Sequence, residues 1–366
     1  MTLEIEVFPA GYGDALLVSY GEGDNTTRIL VDGGFAQTAK AILRRLDELD
    51  AHVDLFVITH IDRDHIAGAL KLLSTPAFLN RVSGVWYNGR VHLEQFNDLL
   101  GPLDGERVGD ILGRGDVAWN AGWPWRIPPG RGASEFGGPV FVGAESTRVV
   151  LPGGAHALVL SPSADKLKAL LPKWRETIRK AGLVTNVKAR PEPAEAPRRV
   201  LLGGTTLTEL AERPTEEDTA LANGTSIAFV LEVAEGDVVR RVLLTGDAHP
   251  DALTASLRRI AAQDGTYRVD VCKLPHHGSR YNVTTELAEI LACRRWIVST
   301  NGKRFLHPND EALARVIVAH PGSTVYANYA DNEVLNSFVA RYPPVDHDYH
   351  LVRPTSPGAC TTVGVC

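Results

Sequence analysis

Short runs of hydrophobic residues, separated by glycine-rich turns, dominate the first third of the chain. Residues 3–8, 15–20 and 28–31 are β-prone runs in a pattern typical of antiparallel hairpins. Residues 39–49 place leucine and isoleucine at helical spacing, and residues 53–59 form a continuous apolar run that suits a buried strand. A helix followed directly by a buried strand predicts α/β layering.

The last third of the chain shows the same alternation. Strands are predicted at residues 225–233, 238–244, 267–274 and 296–300, and helices at residues 250–262, 283–292 and 310–319. Between the two regions, residues 86–162 are rich in Gly, Pro and Trp, which predicts long loops with few strands. Residues 165–182 have helical spacing that Pro172 interrupts. The pattern indicates two α/β regions joined by an irregular middle.

Composition excludes several classes of protein. With 44% hydrophobic and 22% charged residues among 366, the chain is neither disordered nor fibrous. No apolar run approaches the roughly 18 residues that span a bilayer, and the N-terminal sequence lacks a signal-peptide pattern. The four cysteines include no Cys-x-x-Cys pair. We therefore expect a soluble, cytoplasmic protein that does not contact a membrane.

Charge is distributed unevenly along the chain. The formal net charge of −6 argues against binding nucleic acid over the whole surface. Residues 166–199, however, carry ten Lys or Arg and three Glu, a local charge of +7 that leaves −13 for the rest. One interpretation is a solvated insertion that ends in a linker. The other is a surface that faces an anionic substrate, with Arg175, Arg179 and Lys180 in contact with it.

The strongest chemical signal is the sequence from Thr59 to His65, which stands between a predicted buried strand and a predicted helix. It contains His60, Asp62, Asp64 and His65, four possible metal ligands within six residues. A turn at the end of a buried strand allows such side chains to converge on one point, as a metal site requires. The alternative is an exposed loop in which Asp64 caps the next helix.

Two further strands end in metal-ligating residue types. Asp247 follows the predicted strand 238–244 directly after a glycine, and His276 and His277 follow the predicted strand 267–274. Each could alone be a turn or loop residue. Three strands that deliver ligand types at their ends favour a shared metal centre.

These residues resemble the metallo-β-lactamase superfamily, whose usual cluster is His-x-His-x-Asp-His. Here Asp62 stands in place of the second histidine, a variant similar to the soluble hydrolase domain of ComEC-type DNA-uptake proteins. The likeness extends, in the expected order, to Gly13-Asp14-Ala15-Leu16-Leu17, Val31-Asp32-Gly33-Gly34, Asn223-Gly224-Thr225-Ser226, Leu244-Thr245-Gly246-Asp247, Leu274-Pro275-His276-His277-Gly278-Ser279 and His307-Pro308. It covers most of the chain outside roughly residues 80–220.

The resemblance implies a ligand set for one or two divalent ions. His60 and Asp62 belong to the first metal position, Asp64 and His65 to the second, and Asp247 bridges both. His277 is the expected last ligand, with His276 as the alternative. The superfamily usually adds a first-position histidine from an earlier strand, but residues 158–162 contain none. Carboxylate in place of imidazole shifts the preference from zinc toward manganese, although zinc remains open.

The resemblance also implies the fold and the activity. We expect a four-layer αβ/βα sandwich in one domain over residues 1–366, with an insertion-rich middle at about residues 85–220. The leading hypothesis is a hydrolase, a phosphodiesterase or nuclease acting on DNA or a nucleotide through a metal-activated water. The alternatives are hydrolysis of a lactone, thioester or other small ester, and a non-catalytic, metal-stabilised partner-binding module.

Five residues receive specific expectations. Asp62 or Asp64 would orient or deprotonate the water, and His307 would protonate the leaving group unless it is an ordinary loop residue. Asp32 is expected to orient the site from beneath rather than to bind metal. Asp14 is expected in the turn of the first hairpin, with an approach to the rim of the site as the alternative.

Overall fold

The computed structural model describes residues 2–93, 103–123, 137–143, 147–172 and 204–365. The strands are β1 (Thr2–Val7), β2 (Leu16–Gly21), β3 (Thr27–Val31), β4 (Leu55–Val57), β5 (Gly84–Trp86), β6 (Ala118–Trp119), β7 (Thr147–Val150), β8 (His156–Ser161), β9 (Ala228–Glu235), β10 (Val238–Leu244), β11 (Tyr267–Arg268), β12 (Val271–Lys273), β13 (Leu291–Ala292), β14 (Arg295–Val298), β15 (Ser323–Ala327), β16 (Tyr349–Val352) and β17 (Thr361–Gly364). Most of the basic segment, residues 173–199, lies outside the described residues, as do Arg175, Arg179 and Lys180.

Helices connect most of the parallel strands. They are α1 (Thr38–Glu48), α2 (Arg63–Leu73), α3 (Pro76–Leu79), α4 (Arg90–Leu93), α5 (Leu103–Leu112), α6 (residues 164–172), α7 (Leu207–Ala211), α8 (Pro250–Ile260), α9 (Thr285–Ile290), α10 (Asp310–Ala319), α11 (Glu333–Arg341) and α12 (Pro344–His347). Among the described residues, no helix is both long and apolar enough to cross a membrane.

Two large mixed sheets form the centre of the molecule. The first has seven strands in the order β17-β1-β2-β3-β4-β5-β6, and the second has eight in the order β16-β15-β14-β12-β10-β9-β8-β7. In the first sheet, β17 closes one edge by pairing antiparallel with β1. Residues 84–161 contribute two strands to each sheet, β5 and β6 to the first and β7 and β8 to the second.

Alternation along the strands divides the core into layers. In β1, Leu3, Ile5 and Val7 point into a core shared with Phe229 and Leu231 of β9, so this core lies between the two sheets. The outer face of the first sheet packs against α1 and α2, and the outer face of the second packs against α8, α9 and α10. The result is the predicted αβ/βα sandwich.

Several predicted elements differ from the observed ones. Residues 291–292, predicted as the end of a helix, form β13, and α4 and α5 lie in the middle predicted as long loops. The run at residues 267–274 is two strands rather than one, because β11 pairs with β13 while β12 joins the large sheet. Between them, the Asp270 carboxylate accepts a hydrogen bond from the Arg241 amide (2.8 Å). The predicted cap of α2 also differs, since Asp62 holds the N-cap position and Asp64 lies in the first turn.

Candidate metal centre

Loops from both sheets meet at one edge of the sandwich. They follow β3 and β4 in the first sheet and β10, β12 and β14 in the second. Parallel strands end at the same edge, so their following residues are brought together there. The β1–β2 loop reaches the same place, because Gly13 packs so closely that a Cβ would overlap the Asp64 carbonyl oxygen.

Three side chains, which we call the inner set, surround one carboxylate oxygen of Asp247. They are Asp64, His65 and His277. The Nε2 atoms of His65 and His277 lie 3.3 and 3.5 Å from Asp247 Oδ2. Asp64 Oδ2 lies 3.9 Å from His65 Nε2 and 3.5 Å from His277 Nε2. These four atoms enclose a small space lined by two nitrogens and two oxygens.

Three other side chains form the outer set: two histidines near the same oxygen of Asp247 and an aspartate beside one of them. They are His60, Asp62 and His276. The Nε2 atoms of His60 and His276 lie 3.9 and 3.8 Å from Asp247 Oδ2, and His60 Nε2 lies 3.7 Å from Asp62 Oδ2. The Asp62 side chain is 34% exposed, compared with 16% for Asp64. The histidines of the outer set therefore lie farther from Asp247, and its aspartate is more exposed to solvent, than in the inner set.

Hydrogen bonds to Asp32 orient two of the histidines. His65 Nδ1 lies 2.8 Å from Asp32 Oδ2, and since a carboxylate only accepts, the proton resides on Nδ1. The Thr59 hydroxyl also donates to Asp32 Oδ2 (2.8 Å), so it accepts from His60 Nδ1 (2.9 Å). Both rings thus present an unprotonated Nε2 to Asp247 when neutral. Asp32 lies beneath the site as expected.

The other two histidines are oriented in the same sense. His277 Nδ1 donates to the Ser299 carbonyl (2.9 Å). His276 Nδ1 donates to Asn282 Oδ1 (3.0 Å) and lies 3.3 Å from Asp218 Oδ2. In all four imidazole rings, therefore, the Nδ1–H group donates to a partner on the side away from Asp247, and Nε2 faces Asp247.

The arrangement fits a divalent metal ion. The Nε2 atoms of His60, His65 and His277 are buried and make no hydrogen bond. The same is true of Asp247 Oδ1. Buried polar atoms without partners are costly, and a bound cation would satisfy the nitrogens. A tetrahedral shell with a radius of about 2.0–2.1 Å places its ligand atoms about 3.3–3.4 Å apart. The inner set, at 3.3–3.9 Å, approaches this spacing.

Electrostatics point to the same conclusion. Burial opposes the charge of Asp247, but His65, His277 and His276 outweigh it and hold the pKa of this carboxyl well below its usual value. Burial likewise opposes protonation of His65 and His277, yet Asp247 and the neighbouring carboxylates raise their pKa well above the usual value. Without metal, protons supply the positive charge that Asp247 demands, and a cation would replace them.

A buried ion pair supports the site from below. Lys273, 1% exposed, pairs with Asp14 and donates to the Gly246 carbonyl (3.0 Å). Its ammonium lies 3.7 Å from Asp247 Oδ1, the oxygen opposite the histidines. Asp14 and Asp247 outweigh burial and raise the pKa of Lys273.

Asp14 is not only a turn residue of the hairpin. One of its carboxylate oxygens lies within 4.8 Å of a possible ligand atom of each of His65, Asp247 and His277. Its Oδ1 lies 3.2 Å from His277 Nδ1, on the side of the ring away from Nε2. Asp14 therefore contacts the back of this histidine while Lys273 neutralises its charge.

The structure brings the seven sequence-predicted ligand candidates to one site: the four histidines lie within 3.9 Å of Asp247, Asp64 lies beside His65 and His277, and Asp62 lies beside His60. His307 is buried and stands farther out, with its ring centroid 5.3 Å from that of His276. Sequence reasoning missed Thr59, Asp218 and Lys273. Thr59 is adjacent to the cluster and could have been considered; Asp218 and Lys273 gave no local signal.

The fold and this site define a class of protein: an αβ/βα hydrolase with a histidine- and carboxylate-lined centre for divalent metal. The family model described as Metallo-beta-lactamase superfamily matches residues 9–303, and the chain belongs to this superfamily. A search of curated proteins gave no significant match.

Solved structures of metallo-beta-lactamases are similar to the chain at low identity. MEM-A1, a subclass B3 enzyme from a soil metagenome library, is 14% identical with a TM-score of 0.31, covering 94% of this chain and 90% of that chain. SMB-1 bound to 2-mercaptoethanesulfonate is 14% identical with a TM-score of 0.31, covering 91% and 96%. A protein with an HARLDQ motif from Cronobacter sakazakii (Enterobacter sakazakii) is 14% identical with a TM-score of 0.30, covering 73% and 76%.

Proposed function

We propose that this metal-dependent hydrolase cleaves a phosphodiester, in DNA or a nucleotide. The observation that carries the proposal is the placement of an inner and an outer set around one oxygen of Asp247, each with its own aspartate. Two cations held side by side by a shared carboxylate suit in-line displacement at phosphorus. The motif resemblance to the hydrolase domain of ComEC-type proteins supports the same substrate class.

The ligand assignment follows the two sets. Asp64, His65 and His277 would hold one ion with Asp247, in the closely spaced inner position. His60 and Asp62 would hold the other, again with Asp247. We assign His276 to this outer position, where it replaces the histidine that residues 158–162 lack. Its Nε2 lies 3.8 Å from Asp247 Oδ2, and Asp218 lies 3.3 Å from its Nδ1.

The identity of the ions is part of the proposal. Three of the seven ligand side chains are carboxylates, and the outer position is partly exposed. Oxygen ligands shift the preference toward manganese, whereas the two imidazoles of the inner position also suit zinc. We therefore propose manganese or zinc, with the inner position the more selective for zinc.

Bound metal ions would lower the pKa of water and neutralise charge on the phosphate. The chain supplies the remaining functions. Asp62, at the partly exposed side of the site, would accept a hydrogen bond from the attacking water and take its proton. Asp64 is the alternative. His307, buried near His276 and His277, would donate a proton toward a leaving oxygen that enters from that side.

The test combines metal content with substrate choice. The parent protein is expected to contain two equivalents of manganese or zinc by inductively coupled plasma mass spectrometry and to hydrolyse bis-p-nitrophenyl phosphate. Asp247→Asn should lose metal and turnover while circular dichroism shows an intact fold. Asp251→Asn is the matched control, because this aspartate is half-exposed and pairs with Lys166 (2.8 Å).

Three outcomes would contradict the proposal. Hydrolysis of lactones or thioesters without any cleavage of phosphodiesters would assign the site to small esters. Tight metal retention without turnover on any of these substrates would indicate a binding module. Failure to take up metal after reconstitution with manganese or zinc would exclude metal-dependent hydrolysis.

A further inference from the structure

A cluster of aromatic rings with one arginine lies beside the metal centre, and neither ligand set includes any of its members. We call it the Arg304 cluster; it consists of Tyr12, Phe35, Arg304 and Phe305. The guanidinium carbon of Arg304 lies 5.2 Å from the Tyr12 ring centroid and 5.0 Å from that of Phe305. Tyr12 also packs edge-to-face against Phe35 at 4.6 Å and Phe305 at 5.2 Å. Arg304 itself is exposed.

The cluster is fixed to both sheets. Tyr12 lies in the β1–β2 loop, between Gly13, which abuts the backbone of Asp64, and Gly11. The Gly11 amide donates to the Tyr329 hydroxyl (2.7 Å), and its carbonyl accepts from the Asn301 amide (2.8 Å). The loops that carry Tyr12 and Arg304 are therefore tied to each other and to the inner set.

A continuous row of rings leads from the cluster to the metal centre. Phe305 lies 6.0 Å from His307, and His307 lies 6.4 Å from His277, in each case between ring centroids. Leu306, between them in sequence, has a φ of 55°, an uncommon conformation for a leucine. Such outliers persist where the surroundings determine them, and they are enriched at functional sites. Here the turn places Phe305 toward solvent and His307 toward the ligands.

The guanidinium is held in one orientation with donors to spare. Its Nη1 donates to the Tyr12 hydroxyl (2.7 Å). In the part of the chain that the structure describes, no carboxylate pairs with Arg304. A planar guanidinium stacked on aromatic rings loses little further conformational entropy when it binds a ligand. Its paired N–H donors match the spacing of phosphate oxygens.

We propose that Arg304, positioned by Tyr12 and Phe305, binds a second phosphate of the substrate, next to the phosphodiester at the metal centre. This inference rests on the proposed function and deepens it, because it selects substrates with two neighbouring phosphates over isolated phosphodiesters. The substrate class is then a nucleotide chain or a terminally phosphorylated dinucleotide.

The test measures binding, independently of turnover. Isothermal titration calorimetry would compare thymidine 3′,5′-bisphosphate with the 5′- and 3′-monophosphates, using the protein with the metal it carries. The bisphosphate should bind roughly 10- to 100-fold more tightly than either monophosphate, the range of one charge-assisted arginine contact. Arg304→Met should abolish this advantage, and Arg304→Lys should restore only part of it, since lysine keeps the charge without the fork.

Lys303→Met is the matched control, because it removes an exposed positive charge from the neighbouring residue. It should keep most of the advantage of the bisphosphate. Equal binding of bisphosphate and monophosphates by the parent protein would overturn the inference, as would equal losses in Arg304→Met and Lys303→Met. Hydrolysis of bis-p-nitrophenyl phosphate is measured separately, so failure of the second phosphate subsite is distinguishable from failure of the phosphodiesterase proposal.

Discussion

The inner and outer sets around Asp247 share an oxygen but differ in how firmly they are built. In the inner set, the histidine nitrogens lie 3.3 and 3.5 Å from Asp247 Oδ2 and 3.5–3.9 Å from Asp64 Oδ2, and the side chains are at most 16% exposed. In the outer set, the histidine nitrogens lie 3.8 and 3.9 Å from Asp247 Oδ2, and Asp62 and His276 are 34% and 23% exposed. Under the proposed assignment, the inner position is the more closely preformed, and the outer side chains would move closer together around an ion.

The difference follows from what lies behind each set. The back of His277 contacts both the Ser299 carbonyl and Asp14, whose charge Lys273 balances within the protein. Behind His276 lie Asn282 and Asp218, at the partly exposed side of the site. A site that binds one ion tightly and another loosely can change its metal content with supply.

The largest expected effect comes from Lys273, which pairs with Asp14 behind the inner set and lies 3.7 Å from the shared Asp247. Lys273→Met leaves Asp14 and Asp247 buried without their cation, and breaking such a pair costs about 3–5 kcal/mol. Urea denaturation of the chelated protein should show this loss of unfolding free energy. The double variant Asp14→Asn/Lys273→Met should recover much of it, because no unpaired charge remains at Asp14. A single variant no less stable than the double would refute this account.

The next largest expected effect distinguishes His277 from the adjacent His276. Four-ligand zinc sites bind with about 10–16 kcal/mol, so one ligand contributes on the order of 3–4 kcal/mol. His277→Ala should remove this contribution and lower the affinity for the inner ion roughly 10²- to 10³-fold. His276→Ala should leave the inner ion in place and release only the outer one, giving one equivalent by mass spectrometry. Equal metal content in the two variants would contradict the division into sets.

The smallest expected effects come from Asp32 and Asp218, whose carboxylates contact the candidate ligand histidines. Asp32→Asn disturbs His65 directly and His60 through Thr59, so it should weaken metal binding roughly 10- to 100-fold at both positions. Asp218→Asn should weaken only the outer ion, and by less, because Asn282 still orients His276. Competition with a chromogenic chelator measures both affinities. A stronger effect of Asp218→Asn on the inner ion would reverse the comparison.

Much of this site follows from local sequence. Each ligand comes directly after a strand with a clear apolar pattern, and the parallel arrangement brings those ends together. The sequence favoured His277 over His276 only through the family resemblance, and it did not reveal that both residues adopt left-handed backbone conformations, with φ of 48° and 57°. This turn directs one ring to each set.

The supporting residues were hidden for a different reason. Lys273 ends a short strand, where a lysine normally reaches solvent, and only the packing of the β1–β2 loop over it provides Asp14 as a partner. Asp218 lies in an irregular segment far from His276 in sequence. Contacts between distant loops leave no periodic signal, so the candidate ligands and the orienting Asp32 could be proposed from sequence, whereas Asp218 and Lys273 could not.

The pairing of β17 with β1 has a consequence for biosynthesis. The ribosome extends a chain at about 5–20 residues per second, so Thr361–Gly364 follows Thr2–Val7 by roughly 20–70 s. During that interval the nascent chain carries β1 as an open edge, a template for pairing with other chains. β17 thus shields β1, and truncation of the chain before Thr361 would leave the β1 edge open to aggregation.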